Sequence, residues 1–255
     1  MTLKIETFGL TDTGMLRQNN EDSFLVEDDL NLYLVADGMG GHAAGEIASH
    51  LAVESIREFI QKSAEVSKPT WPFPTPKEFP LPWQRLMASI MAANGMIYRH
   101  SRENRNLAGM GTTVVAILLR DDEAIYAHVG DSRLYLLRNG QFYLKTEDHS
   151  WIQEQINAGS LTAEEALRHP LRNVITRALG GASVVSVDIA SMSLEPGDLL
   201  LLCTDGLTTM LEDEMIASLL REGGSLQQQA NRLIETANKM GGHDNTSVVL
   251  VRIRD

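Results

Sequence analysis

The chain has 255 residues, 43% of them hydrophobic, and a formal net charge of −12 from 22 Lys and Arg against 34 Asp and Glu. That length supports a substantial core, and that charge excludes a nucleic-acid or anionic-membrane surface, since both are built from Lys and Arg. The lone Cys203 excludes an intramolecular disulfide framework and fits the cytoplasm, and no apolar stretch reaches the length of a leader or a membrane span.

Residues 3–9 alternate in polarity and predict a strand, as do the runs 23–28 and 32–36, with a polar turn at Gly14–Asp22 between the first two. The stretch Leu32–Gly41 ends an apolar run at Asp37 and follows it with Gly38, Gly40 and Gly41; taken alone it reads as a turn after a buried strand, or as a cation site. Apolar residues at 48, 52, 56 and 60 predict a helix over 43–61. Six of the eight prolines fall between Pro69 and Pro82, among Trp71, Phe73 and Phe79. Such a segment (about 63–82) is a loop joining two helices or a docking peptide for a proline-recognising partner. A second helix follows over 83–103.

The runs 111–119, 123–129 and 133–137 predict a three-stranded meander, and Asn139-Gly140 a hairpin into a short strand at 141–144. A polar excursion at about 149–181 holds short helices, one opened by a capping box from Thr162 to Glu165. Strands at 184–190 and 198–204, helices at 213–221 and 226–239 (Ser225 and Gln228 having N-cap spacing) and a strand at 247–253 complete the chain. Grouped strands with two helical pairs place residues 1–255 in one α+β domain, antiparallel sheets packed together with helices outside.

Four acids share a setting. Asp37, Asp131 and Asp205 each end an apolar run beside a Gly or Ser, Asp244 directly precedes one, and Glu21-Asp22 adjoins another. Acids at strand ends converge if those ends share a rim, and carboxylates so gathered need cations between them. All-oxygen ligands suit Mg²⁺ or Mn²⁺ and fit hydrolysis at phosphorus, with Arg17 as the guanidinium that holds phosphate.

With Arg17-x-x-Asn20-Glu21-Asp22, Ala36-Asp37-Gly38-Met39-Gly40-Gly41-His42, Gly111-Thr112-Thr113, Gly130-Asp131-Ser132-Arg133, Thr204-Asp205-Gly206-Leu207 and Asp244-Asn245 in order, the chain resembles the PPM or PP2C-type metal-dependent protein serine/threonine phosphatases in their compact bacterial form. The resemblance implies a central β-sandwich of two antiparallel sheets flanked by helical pairs. It implies that Asp37 bridges two Mn²⁺ or Mg²⁺ ions, with the Gly38 carbonyl on one and Asp205 and Asp244 on the other, and that Asp131 with Asp205 holds a third. Glu21 and Asp22 would hold metal-bound waters, with Asn245 beside them, and Arg17 would grip the substrate phosphate. A metal-bridging hydroxide would attack phosphoserine or phosphothreonine directly, and the 149–181 excursion is the flap beside the site.

The implied partners are phosphorylated proteins, including a eukaryotic-like Ser/Thr kinase and its targets, met by a monomer in the cytoplasm. Two other readings stay open: a phosphoprotein-binding module without activity, and an enzyme acting on an anti-sigma-factor antagonist. In the animal enzymes a histidine follows the Asp-Gly; here Met39 stands there, and His42 is the candidate proton donor to the leaving oxygen. Cys203 reads as a buried hydrophobe, Asn245-Thr246-Ser247 as a coincidental sequon, and Arg133 as the partner of nearby acids.

Overall fold

A computed structural model describes residues 4–254 except 42, 43, 67, 68, 72, 74, 167 and 168. The chain opens with β1 (Lys4–Asp12), β2 (Asp22–Glu27) and β3 (Leu32–Met39), then the helices α1 (Ala44–Ser63) and α2 (Leu81–Glu103). It continues through β4 (Gly111–Thr112), β5 (Val114–Arg120), β6 (Glu123–Val129), β7 (Arg133–Arg138) and β8 (Gln141–Leu144). Next come the flap helices α3 (Trp151–Asn157) and α4 (Ala163–Ala166), then β9 (Asp188–Ser193), β10 (Leu199–Cys203), α5 (Asp205–Thr208), α6 (Asp213–Arg221), α7 (Leu226–Lys239) and β11 (Thr246–Arg254).

One antiparallel sheet runs β1-β11-β10-β7-β8 and the other β2-β3-β5-β6-β9, with β4 paired to β3. Alternation on the inner strands explains their unbroken apolar runs, since both faces are buried. On β3, Tyr33 and Val35 enter the layer between the sheets with Val115, Ile117, Leu200, Leu202 and Val249. Leu32, Leu34 and Ala36 face the other way, against Ala48, Ala52 and Ile56 of α1 and Leu86 and Ile90 of α2. Leu201, Cys203, Val248 and Leu250 likewise meet Ile216 and Leu220 of α6 and Leu233 of α7. The result is an α-β-β-α sandwich of the α+β class, and no helix among the described residues is long and apolar enough to cross a membrane.

Several boundaries differ from the sequence reading. The run 133–137 does not extend a meander with 111–129: β5 and β6 pair with each other, whereas β7 pairs with β10 in the opposite sheet. The turn Gly130–Ser132 is thus where the chain changes sheets. The expected strand at 184–190 begins only at Asp188. Residues 182–183 are instead held under α2, where Asn94 Nδ2 donates to the carbonyls of Ala182 (3.1 Å) and Ser183 (3.4 Å). The proline-rich segment packs back on the helical pair, with Trp71 stacked on Phe59 at 5.4 Å and Trp71 Nε1 donating to Gln84 Oε1 at 3.1 Å. These contacts engage Trp71 within the domain. Thr162 and Glu165 form the expected capping box, as do Ser225 and Gln228.

Candidate metal centre

Asp37 does not sit past the end of its strand: β3 continues to Met39, and Asp37 pairs in register with Asp22 on β2. Its backbone is gripped by the end of β4 and the residue that links it to β5, because Asp37 N donates to Thr113 Oγ1 (3.0 Å) while Thr113 N and Thr112 Oγ1 both donate to Asp37 O (2.8 Å). Gly38 follows where nothing larger fits. A Cβ there would lie 2.1 Å from the carbonyl oxygen of Gly45 on α1 and 2.5 Å from that of Glu21. Gly38 N donates to that Glu21 oxygen at 3.1 Å.

The remaining acids come from the other sheet and the crossing between the sheets. Asp205 opens α5 after β10, Asp244 lies in the loop before β11, and Asp131 sits in the β6–β7 turn. Asp22 joins the two sheets: its Oδ2 accepts from Thr204 Oγ1 (2.8 Å) and Ser247 Oγ (2.7 Å). Asn245 does the same for the backbone, accepting from Glu21 N (2.8 Å) and donating through Nδ2 to the carbonyls of Thr13 and Asn19 (2.9 Å each). Buried and committed in this way, Asn245 is no glycosylation acceptor. Arg17 Nη2 meets Asp244 Oδ2 at 2.6 Å, at the exposed rim.

The electrostatics of this group are unfavourable without counter-charge. Asp22 Oδ1, Asp131 Oδ1 and Asp205 Oδ1 are buried with no hydrogen-bond partner among the described residues. Burial, reinforced by neighbouring carboxylates, pushes Asp22 and Asp131 each up to about 7 and raises Asp37 and Asp205. The charges of Asp22, Asp205 and Asp131 all add to the burial that raises Asp37. Orphaned hard oxygens and surplus negative charge fit divalent cations with oxygen ligands, which would replace the carboxyl protons.

A family model described as protein phosphatase 2C matches residues 16–240. The chain belongs to that family. This protein phosphatase is 38% identical over 244 residues to the serine/threonine phosphatase stp of Listeria monocytogenes, covering 94% of this chain and 93% of that one. It superposes on the crystal structure of the Mycobacterium tuberculosis serine/threonine phosphatase PstP/Ppp with a TM-score of 0.86 at 35% identity, over 98% of this chain and 99% of that one. The PstP catalytic domain in complex with two manganese ions aligns with a TM-score of 0.84 at 35% identity, over 100% of both chains. The family is metal-dependent, in keeping with the acids gathered here.

Asp37, Gly38, Asp131, Asp205, Asp244, Glu21, Asp22, Asn245 and Arg17 are contributed by loops and strand ends at one end of the sandwich. His42 lies outside the described residues, and His243 is exposed. Arg133 pairs with acids as expected, holding Asp148 at 2.7 Å and 2.9 Å. Beside Asp131 and Asp205, a cavity of about 390 Å³ opens between the flap and α5, lined also by Arg133, Asp148, Arg172 and Thr208. Sequence reasoning missed Thr113, Thr204 and Ser247, the groups that orient the acids. The first two lay inside quoted motifs and Ser247 inside the apparent sequon, but a hydroxyl carries no periodicity that would mark it.

Proposed function

We propose that this phosphatase hydrolyses phosphoserine and phosphothreonine on proteins by direct attack of water on phosphorus, and that it opposes a eukaryotic-like Ser/Thr kinase in the cytoplasm. The observation that carries the reading is the set of three buried, unpartnered carboxylate oxygens on Asp22, Asp131 and Asp205 beside Asp37. In this reading Asp37, the Gly38 carbonyl, Asp205 and Asp244 hold two Mn²⁺ or Mg²⁺ ions, and Asp131 with Asp205 holds a third. When bound, the cations neutralise charge on the phosphoryl oxygens and lower the pKa of water at the site.

The chain's own residues supply the rest. Arg17 Nη2 lies 2.6 Å from Asp244 Oδ2 at the rim, where its guanidinium would hold the substrate phosphate bidentately. Glu21 and Asp22 would order water around the acids, Asn245 holds the Glu21 backbone in place beside them, and the cavity under the flap receives the polypeptide that flanks the phosphoresidue. Covalent catalysis by cysteine is disfavoured, because Cys203 is fully buried and burial pushes its thiol up to about 12. The serine/threonine assignment draws support from the names of the relatives.

The test is hydrolysis of an aryl phosphate and a phosphothreonine peptide by the purified protein with Mn²⁺. Turnover of both, abolished in Asp37→Asn, is the expected result; a wild-type protein inert on both with metal present overturns the reading.

A further inference from the structure

The base of the flap carries a side-chain cluster for which phosphoryl transfer has no direct use. His128 on β6 and His149 after β8 are 5% and 6% exposed and stack with ring centroids 4.6 Å apart. Asp188, the cross-strand neighbour of His128, completes a trio whose ligand atoms all lie within 4.8 Å of one another. The composition is that of a transition-metal site, but the hydrogen bonds oppose it. Gly130 N donates to His149 Nδ1 at 3.0 Å, so Nδ1 bears the lone pair and Nε2 the proton, and a neutral ring offers no second ligand atom. The Nε2 proton faces Asp188 Oδ2, 3.4 Å away, and Arg177 Nη1, 2.5 Å from Asp188 Oδ1, already supplies the cation.

The cluster holds a backbone turn instead. His149 accepts from Gly130 N–H through its ring, and its own N–H donates to Gly130 O at 3.0 Å. Both polar groups of the residue preceding Asp131 are therefore held by one flap residue. Gly130 has φ +110°, and a Cβ there would come within 2.6 Å of the Thr113 side chain, so no side chain of its own can brace the turn. Among the described residues Asp131 Oδ1 has no hydrogen-bond partner, so the carboxylate depends on the turn for its direction. His149 in turn is fixed by the stack on His128, whose Nε2 bonds Glu147 O at 2.8 Å, and by Asp188 with Arg177.

We propose that His149 is the positioning residue for Asp131: its ring acceptor locks the sheet-crossing turn to the base of the flap and so sets the affinity of the cation that Asp131 would hold. This rests on the reading of Asp131 as a ligand. Flap docking and cation binding at Asp131 are then thermodynamically linked, each favouring the other.

Calorimetric Mn²⁺ titration of the full chain tests it, with four variants. Asp131→Asn is expected to remove one binding step. His149→Phe keeps the ring and its stack but not the acceptor, and should weaken that same step by roughly 10-fold or more while the other steps hold. His149→Asn restores an acceptor and should stay within about threefold of wild type, in the range of a retained contact. Asp188→Asn, at a half-exposed residue that tolerates change, loosens the ring from its other side and should weaken only that step; it serves if the Phe variant does not fold. If Asp131→Asn leaves every step in place, the ligand reading fails and the proposal with it. If Asp131→Asn removes a step that His149→Phe and Asp188→Asn leave unchanged, or if His149→Phe weakens all steps alike, the positioning proposal alone is overturned.

Discussion

Asp22→Asn is expected to stabilise the metal-free phosphatase while weakening its response to divalent cations. Asp22 is 8% exposed, takes hydrogen bonds from Thr204 and Ser247 on Oδ2, and has none on Oδ1. Burial raises its pKa from the ordinary 3.8 to about 7. A carboxyl raised on folding contributes stability that is full below its unfolded pKa and is lost as the pH rises through its folded one. About three pKa units at ~1.4 kcal/mol each put a ceiling of ~4 kcal/mol on what the charged form costs at alkaline pH. Asn keeps the oxygen that serves both hydroxyls and removes the charge, but it leaves an amide unpaired, so about half that ceiling is recoverable. For a chain of this size ~2 kcal/mol is about 6 °C in Tm. Differential scanning fluorimetry in EDTA should show that gain near pH 8 and less than half of it near pH 5, and saturating Mn²⁺ should invert the order of the two proteins. A variant no more stable than wild type at pH 8, or a gain equal at both pH values, refutes the reasoning.

Three further outcomes follow from the same geometry. Gly38→Ala places a methyl 2.1 Å from Gly45 O and should cost about 3 kcal/mol of stability, read as a lower Tm, together with most activity. Arg17→Ala should lower kcat/KM on a phosphopeptide by roughly 10- to 100-fold, the worth of charge-assisted hydrogen bonds, with Arg17→Lys intermediate because it lacks the planar fork. Replacing residues 151–166 by a short linker, which retains His149, should reorder kcat/KM across a phosphopeptide panel more than it alters Mn²⁺ affinity; unchanged relative rates would refute a substrate role for the flap.

The parts of the fold legible in the sequence were those whose signal is local. The helices α6 and α7 and the short strand β8 lie where periodicity, the Ser225 cap and Asn139-Gly140 placed them, and Asn139 and Gly140 take the positive φ (51° and 77°) of that hairpin turn. Sheet membership was not legible, because Leu134 and Leu136 look the same in sequence whichever sheet receives them. Val184, Val185 and Val187 misled for a related reason: their β propensity is real, but Asn94 holds the preceding backbone under α2 and the ladder starts only at Asp188. The acids could be found as a cluster because each interrupts an apolar run. Thr113, Thr204, Ser247 and His149 act through hydrogen bonds to partners distant in sequence, and nothing in residue order announces such bonds.

The same anchoring explains why the acids gather where they do. Asp22 and Asp37 belong to one sheet, Asp205 and Asp244 flank strands of the other, and Asp131 lies on the crossing between them. No single element fixes the spacing among these carboxylates. It is set by cross-sheet contacts: the Thr204 and Ser247 hydroxyls on Asp22, and the Asn245 amide on Glu21 and on the backbone beside Arg17. The Thr113–Ser132 hydroxyl pair (2.7 Å) adds a contact between the residue that grips Asp37 and the turn that carries Asp131. The packed layer of Tyr33, Val35, Leu200, Leu202 and Val249 holds the sheets at a fixed separation, and stacked sheets resist sliding because their side chains interdigitate. The apolar core therefore does more than offset chain entropy: it holds like charges at a separation they would not adopt by themselves, and that stored repulsion favours cation binding.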